Sequence, residues 1–220
     1  MPWIREISAD AIAFALSSAM VATYYAMRAS RNRRNPFGTI HRLNELARTQ
    51  WVRAVMTGAG KDVMAVQTLR NFVMGASLMA TTAAFLILGT LTLSGQAENI
   101  SRSFHLINVI GSSSAELWIV KVLCLLADFI FAFFAFAMAV RLANHVVFMI
   151  NVPGPAPLPL LEPEQVARRL NRAGGHFSAG MRAFFLAIPL VFWLFGPLFL
   201  AIATVGLVVT LHRVDSNPVP

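Results

Sequence analysis

The sequence has few charged residues and a single cysteine. Asp, Glu, Lys and Arg make up only 13% of its 220 residues, whereas the hydrophobic residues AVILMFWYC make up 57%. A soluble domain needs roughly twice that charged fraction to cover its surface. Cys124 alone can form no disulfide within the chain, and no Cys/His spacing resembles a zinc site. This composition excludes an ordinary soluble domain and a disulfide-stabilised scaffold.

Sequence signatures of catalysis are also missing. The chain has no Gly-rich phosphate loop, no nucleophile elbow and no paired intramembrane acids at a spacing that brings two carboxyls together. Its five histidines are scattered, and most lie outside the apolar segments, which disfavours haem ligation by His145 and a second histidine. We therefore predict that the protein is not an enzyme and that it binds no cofactor and no metal.

A net charge of +8 raises the possibility of nucleic-acid binding. The basic residues lie in the connections between apolar segments and form no continuous binding surface in the sequence. We therefore expect no nucleic-acid partner.

Four long apolar segments cover residues 8–27, 71–93, 115–150 and 178–211. About 20 helical residues span the roughly 30 Å of hydrocarbon in a bilayer. The last two segments exceed that length, so they are expected to tilt, to kink at Pro189 and Pro197, or to project into the cytoplasm. The first carries its basic cluster after the apolar stretch, which is typical of a retained helix and not of a signal peptide. The sequence predicts an all-α polytopic membrane protein, a single membrane domain over residues 1–220 with four transmembrane helices.

Basic residues are concentrated in two connections, residues 28–70 and 151–177 with the adjoining helix ends. Counted over residues 28–70 and 141–182, these regions hold 14 of the 18 basic residues. The positive-inside rule places such loops in the cytoplasm. With four spans, both termini then lie outside, on the periplasmic side of the cell inner membrane.

Both cytoplasmic loops contain helical patterns. Leu43, Ala47, Trp51 and Val55 recur at helical spacing before Gly58 and Gly60 break the pattern. In the second loop the prolines between 153 and 159 predict an extended stretch, and a short helix is predicted from Glu164 to the glycines at 174 and 175. These short amphipathic helices either lie on the inner leaflet or pack together as a cytoplasmic cap.

Three ionisable residues fall in the third apolar segment. Asp128 lies well inside it, Lys121 lies seven residues earlier on the same helix face, and Glu116 lies near the outer boundary. A charge at the bilayer centre costs at least about 2.5–3.5 kcal/mol, so Asp128 needs a partner or water. It is either part of an ion or proton path, or a protonated or hydrogen-bonded carboxyl; Lys121 is expected to extend to the outer interface.

A second polar cluster is predicted where the helices reach the inner boundary. Arginine at such positions is expected from topology alone. Neutral polar side chains do not set topology, so the cluster is also a candidate for binding an anion or lipid headgroup, or for gating. Its members are Gln67, Arg70, Asn71, Arg141, Asn144, His145 and Arg182.

The chain resembles a known family in these same regions. The stretch Gln67-Thr68-Leu69-Arg70-Asn71, followed by Met74 and Ala76-Ser77, is similar to the signature of the DUF599 membrane proteins. Further matching positions are Trp51-Val52, Val140-Arg141, Asn144-His145 and Trp193-Leu194-Phe195-Gly196-Pro197. The resemblance implies a four-helix membrane architecture and draws attention to the inner-boundary cluster, but it implies no reaction.

The leading functional expectation is a homo-oligomeric channel- or transporter-like protein. Four helices of this length enclose little space, so a conduit forms more easily between subunits. The alternative is a structural, assembly or lipid-binding subunit of a larger membrane complex, with anionic lipids of the inner leaflet as partners.

Overall fold

The structure is a computed structural model that describes residues 2–34, 40–58, 60, 62–95, 115–152 and 158–215. Almost all of these residues are helical, and none of them lies in a β-strand. A 3₁₀ turn, Pro159–Leu161, precedes the fifth helix. The predicted all-α class is confirmed. The α-helices of the described residues are α1 (Pro2–Arg34), α2 (Ile40–Thr57), α3 (Asp62–Gly95), α4 (Ala115–Met149), α5 (Pro163–Trp193) and α6 (Pro197–Asp215).

Among the described residues, three helices, and not the predicted four, are long and apolar enough to cross a membrane. They are Val63–Gly95 within α3, Glu116–Met149 within α4, and Pro163–Trp193. The first predicted span lies in α1, where Asp10 and several Ser, Thr and Tyr residues dilute the apolar residues. The apolar part of α6, Pro197–Arg213, is shorter than a full span. The composition of the three long helices still supports a membrane protein.

The predicted helix over 178–211 is divided into two helices by residues 194–196. The amide of Gly196 donates to the carbonyl of Trp193 at 3.1 Å, which closes the last turn of α5. Gly196 has φ 136°, a conformation that favours glycine. Pro197 follows as the first residue of α6, where its fixed φ suits a helix start. A glycine and a proline together thus end one helix and begin the next.

Helix α6 turns back along α5 and does not continue it. Side chains near both ends of α6 line one apolar cleft together with α5 residues: Phe185 and Ile188 share it with Phe199 and Leu211. Helix α1 packs along α6. The predicted fourth segment is therefore a helical hairpin with a three-residue turn.

The chain forms two compact units. Unit 1 comprises Met1–Pro36, Phe85–Ile130 and Ala183–Pro220, and unit 2 comprises Phe37–Ala84 and Phe131–Arg182. In unit 2, helices α2, α3, α4 and α5 share an apolar core, so the helices predicted in the two basic loops pack on each other. That core contains Val52, Val55, Ala65, Leu69, Val146, Ile150, Val166, Ala167 and Leu170.

The predicted short helix from Glu164 does not end at the two glycines. Helix α5 continues through Gly174 and Gly175 to Trp193. A glycine inside a helix costs only about 1 kcal/mol relative to alanine. Burial of Val166, Leu170 and further apolar residues along α5 exceeds that cost. Most of the predicted proline-rich stretch, residues 153–157, lies outside the described residues.

Candidate functional site

An ion pair is buried in unit 1. The Lys121 ammonium lies 2.8 Å from Asp10 Oδ1, and the two side chains are 3% and 0% exposed. Asp10 lies in α1 and Lys121 lies in α4, six residues after its first residue. The expectation that Lys121 extends to the outer interface is therefore wrong, because its charge is neutralised inside the protein.

Trp193 completes this buried group. Its indole Nε1 donates to Asp10 Oδ1 at 2.9 Å, so one carboxylate oxygen accepts from both Trp193 and Lys121. The Lys121 ammonium lies 5.5 Å from the centroid of the Trp193 ring, within range of a cation–π interaction. Phe14 stacks on the same indole with ring centroids 4.6 Å apart. The group joins α1, α4 and the last residue of α5.

Asp10, Lys121 and Trp193 form a hydrogen-bonded group with no net charge. Breaking a buried ion pair by removing one partner costs about 3–5 kcal/mol, because the remaining charge is left uncompensated. The pair thus holds α1 against α4 while adding no net charge to the apolar interior. Neither charge is available to a transported ion unless the other is released.

Asp128 has different surroundings from Asp10. It lies seven residues after Lys121 on α4 and is half-buried between the positions of Leu125 and Phe129, which belong to the apolar core of unit 1. Its Oδ2 atom is buried and has no hydrogen-bond partner among the described residues. Lys121 makes its ion pair with Asp10 instead. Glu116, the third predicted residue of this set, is exposed near the start of α4.

All seven residues of the predicted inner-boundary cluster belong to unit 2. Arg182, on α5, is half-buried. The other six are exposed, on α3 and α4: Gln67, Arg70, Asn71, Arg141, Asn144 and His145. Their exposure leaves them accessible to water, lipid headgroups or another protein chain.

Sequence reasoning missed Asp10 and Trp193 as site residues. A signal was present for the acid: Asp10 and Lys121 carry opposite charges and lie near the first residues of two segments expected to cross the membrane in the same direction. Opposite charges at matching depths in an apolar environment are expected to pair. Trp193 had no such signal, because its hydrogen bond depends on where α5 ends.

Within the described part of the chain, no group of three or more His, Cys, Asp or Glu residues has a geometry that could hold a metal ion. A family model described as "Protein of unknown function, DUF599" matches residues 12–219. The chain therefore belongs to the DUF599 family. No curated protein and no solved structure matches it.

Proposed function

We propose that this DUF599 protein is a homo-oligomeric channel- or transporter-like membrane protein in which Asp128 binds the translocated proton or cation. One observation carries the proposal. Asp128 lies within a helix apolar enough to cross a membrane, and its buried Oδ2 has no hydrogen-bond partner among the described residues. We assign the protein no catalytic residue.

The energetic cost of an ionisable side chain in a membrane span supports this role for Asp128. An ionisable side chain in a membrane span costs at least about 2.5–3.5 kcal/mol, and such residues commonly lie on ion or proton paths. Asp10 and Lys121 offset that cost by pairing with each other. Asp128 keeps an acceptor oxygen that a proton, a cation or a water molecule can occupy.

The inner-boundary cluster provides the polar groups for the cytoplasmic end of such a path. Arg70, Arg141 and His145 are exposed on two different helices of unit 2. We propose that they gate the path before the solute enters the apolar region. The conduit itself would form between subunits, since one chain of this size encloses little space.

For orientation, we propose that the basic loops lie in the cytoplasm of a bacterial cell and the protein in its inner membrane. Helix α1 has 33 residues, about 50 Å at 1.5 Å per residue, and its Asp10 is neutralised by Lys121, so we propose that α1 also crosses the bilayer. The N-terminus then lies outside. Helix α6 turns back along α5, and its 19 residues reach about 28 Å at 1.5 Å per residue, close to the roughly 30 Å of hydrocarbon, so we propose that α6 also crosses the bilayer. We therefore revise the expected position of the C-terminal end from the outside to the basic side.

A second candidate function is that of a lipid-binding or assembly subunit. Helix α2 exposes Ile40, Leu43 and Leu46, with 40%, 47% and 39% of each residue accessible. Apolar side chains on an amphipathic helix with basic neighbours are typical of a helix that contacts a membrane surface or another protein. This function leaves Asp128 without a role.

Flux measurements in liposomes distinguish the two. Purified protein should increase the permeability of vesicles to protons or small cations, and Asp128→Asn should reduce the flux at least tenfold. Glu116→Gln is the matched control, because it removes an exposed acid from the same helix and should retain the wild-type flux. If the protein does not increase the permeability of the vesicles, or if the two variants give the same flux, Asp128 is not a translocation site.

The oligomer is tested separately by the mass of the protein in detergent and in nanodiscs. A strict monomer in both would contradict a conduit between subunits. Affinity capture from native membranes then tests the second candidate, which requires a partner recovered in stoichiometric amount.

A further inference from the structure

Arg48 of α2 forms a polar contact with α5 that is separate from the groups discussed above. Its guanidinium Nε donates to Asn171 Oδ1 at 2.9 Å. The Asn171 amide donates in turn to Thr49 Oγ1 at 3.1 Å and to the Glu45 carbonyl at 3.4 Å. These bonds fix the Asn171 side chain, so its oxygen holds the Arg48 guanidinium in a defined direction.

Gly174 makes room for that guanidinium. A Cβ atom at this position would clash with Nη1 of Arg48 and would lie 2.7 Å from its Cζ. The charged end of Arg48 therefore lies directly against the surface of α5, in a place that a side chain at position 174 would fill. This contact also accounts for a buried glycine in the middle of a continuous helix.

The two terminal nitrogens of Arg48 have no acceptor among the described residues. Among the residues that the structure describes, the only hydrogen bond of the guanidinium is the one from Nε. Burial lowers the pKa of Arg48, and the Glu45 carboxylate acts against that shift. That carboxylate is itself bonded to Arg42 at 2.8 Å. The charge of Arg48 is thus partly desolvated, and its forked donors face no acceptor in the part of the chain that the structure describes.

We propose that Arg48, positioned by Asn171 and Gly174, is a binding site for a phosphate group. A guanidinium binds phosphate oxygens through two parallel N–H donors, and Nη1 and Nη2 are the free pair here. The phosphate belongs either to the headgroup of an anionic phospholipid or to a soluble phosphate compound. The site is independent of the proposed transport through Asp128.

Arg53 provides the matched control. It lies on the same helix and also contacts α5, donating to Glu164 at 2.9 Å. Its side chain is 47% exposed, and its Nε already has a carboxylate partner. Replacing Arg53 removes a similar charge from α2 but leaves the proposed site intact.

The test uses the full chain in a sugar-based detergent that contains no phosphate. Inorganic phosphate, with chloride at equal ionic strength as reference, and short-chain phosphatidylglycerol, with diacylglycerol as reference, are each titrated while thermal unfolding is recorded. Binding is expected for at least one phosphate-bearing probe and for neither reference. Arg48→Lys should weaken that binding about tenfold or more, because a lysine cannot supply the fork, whereas Arg53→Lys should retain it.

The two probes also identify the source of the phosphate. Stabilisation by phosphatidylglycerol alone assigns the site to a lipid headgroup, and stabilisation by inorganic phosphate as well assigns it to phosphate in general, with the two probes competing. Competition is measured on the wild-type protein, so this measurement can be interpreted even if Arg48→Lys fails to fold. The proposal is overturned if neither probe binds, or if Arg48→Lys and Arg53→Lys bind equally well.

Discussion

The Lys121 ammonium and the Asp10 carboxylate lie 2.8 Å apart and are almost completely shielded from solvent. The two residues come from helices far apart in sequence, one of them too polar to be counted among the three long apolar spans. Their pairing explains how α1 can carry an acid in its buried face.

The pair predicts a specific pattern of stability. Asp10→Leu and Lys121→Met should each lower the free energy of unfolding by about 3–5 kcal/mol, because each leaves one buried charge unpaired. The double variant should recover most of that loss, since an apolar pair of similar size is often neutral or stabilising. Thermal unfolding in detergent measures all three. If the double variant is no more stable than the less stable of the two single variants, the two charges do not interact.

Removing the indole N–H group of Trp193 should have a smaller effect on stability. Trp193→Phe keeps an aromatic ring beside Phe14 but removes the donor to Asp10 Oδ1. Loss of a buried hydrogen bond to a charged acceptor should cost about 1.5–3 kcal/mol. The effect should largely disappear in the Asp10→Leu background, where no acceptor remains. Equal losses in both backgrounds would mean that the ring, and not its N–H group, stabilises the site.

How far the sequence predicts this molecule depends on whether a feature is local or tertiary. The long apolar segments and the loop helix around Trp51 follow from composition and periodicity, and both are confirmed as helices. The α5–α6 hairpin was not predicted, although Gly196 and Pro197 are visible in the sequence. A Gly-Pro pair predicts a helix break, but it does not distinguish a kink from a reversal.

The same limit applies to the glycines at 174 and 175. They look like a helix end in the sequence, whereas in the structure Gly174 accommodates Arg48 from another helix. A glycine that ends a helix and one that admits a neighbouring side chain give the same sequence signal. Likewise, the buried position of the Lys121 side chain could be predicted only with the knowledge that Asp10 lies beside it.

A side chain added at Gly180 is predicted to cause a packing defect. A Cβ at this position would lie 2.8 Å from the ring atoms of Phe136. Gly180→Ala should therefore destabilise the protein by about 1–3 kcal/mol through overpacking. Gly175→Ala is the control, because a Cβ there meets no atom within 4 Å, and it should be neutral or slightly stabilising. Phe136→Leu should relieve the defect at position 180; if it does not, the ring is not the cause.

The helical hairpin predicts where the end of α6 lies. In a Cys124→Ser background, His212→Cys should react with a membrane-impermeant maleimide from the same side as Ser30→Cys, near the end of α1. Leu198→Cys, in the first turn of α6, should react from the opposite side. Labelling of His212→Cys only from the side opposite to Ser30→Cys would contradict an α6 that returns across the bilayer.

The buried pair also imposes an order on biogenesis. Asp10 leaves the ribosome long before Lys121 is made, so α1, which we propose crosses the bilayer, is made with an acid that has no ionic partner yet. The ion pair can form only after α4 is made, and the hydrogen bond from the indole only after the end of α5 is made. The final packing of α1 thus depends on helices made later, and truncated nascent chains that end before α4 should be retained by the insertion apparatus or degraded.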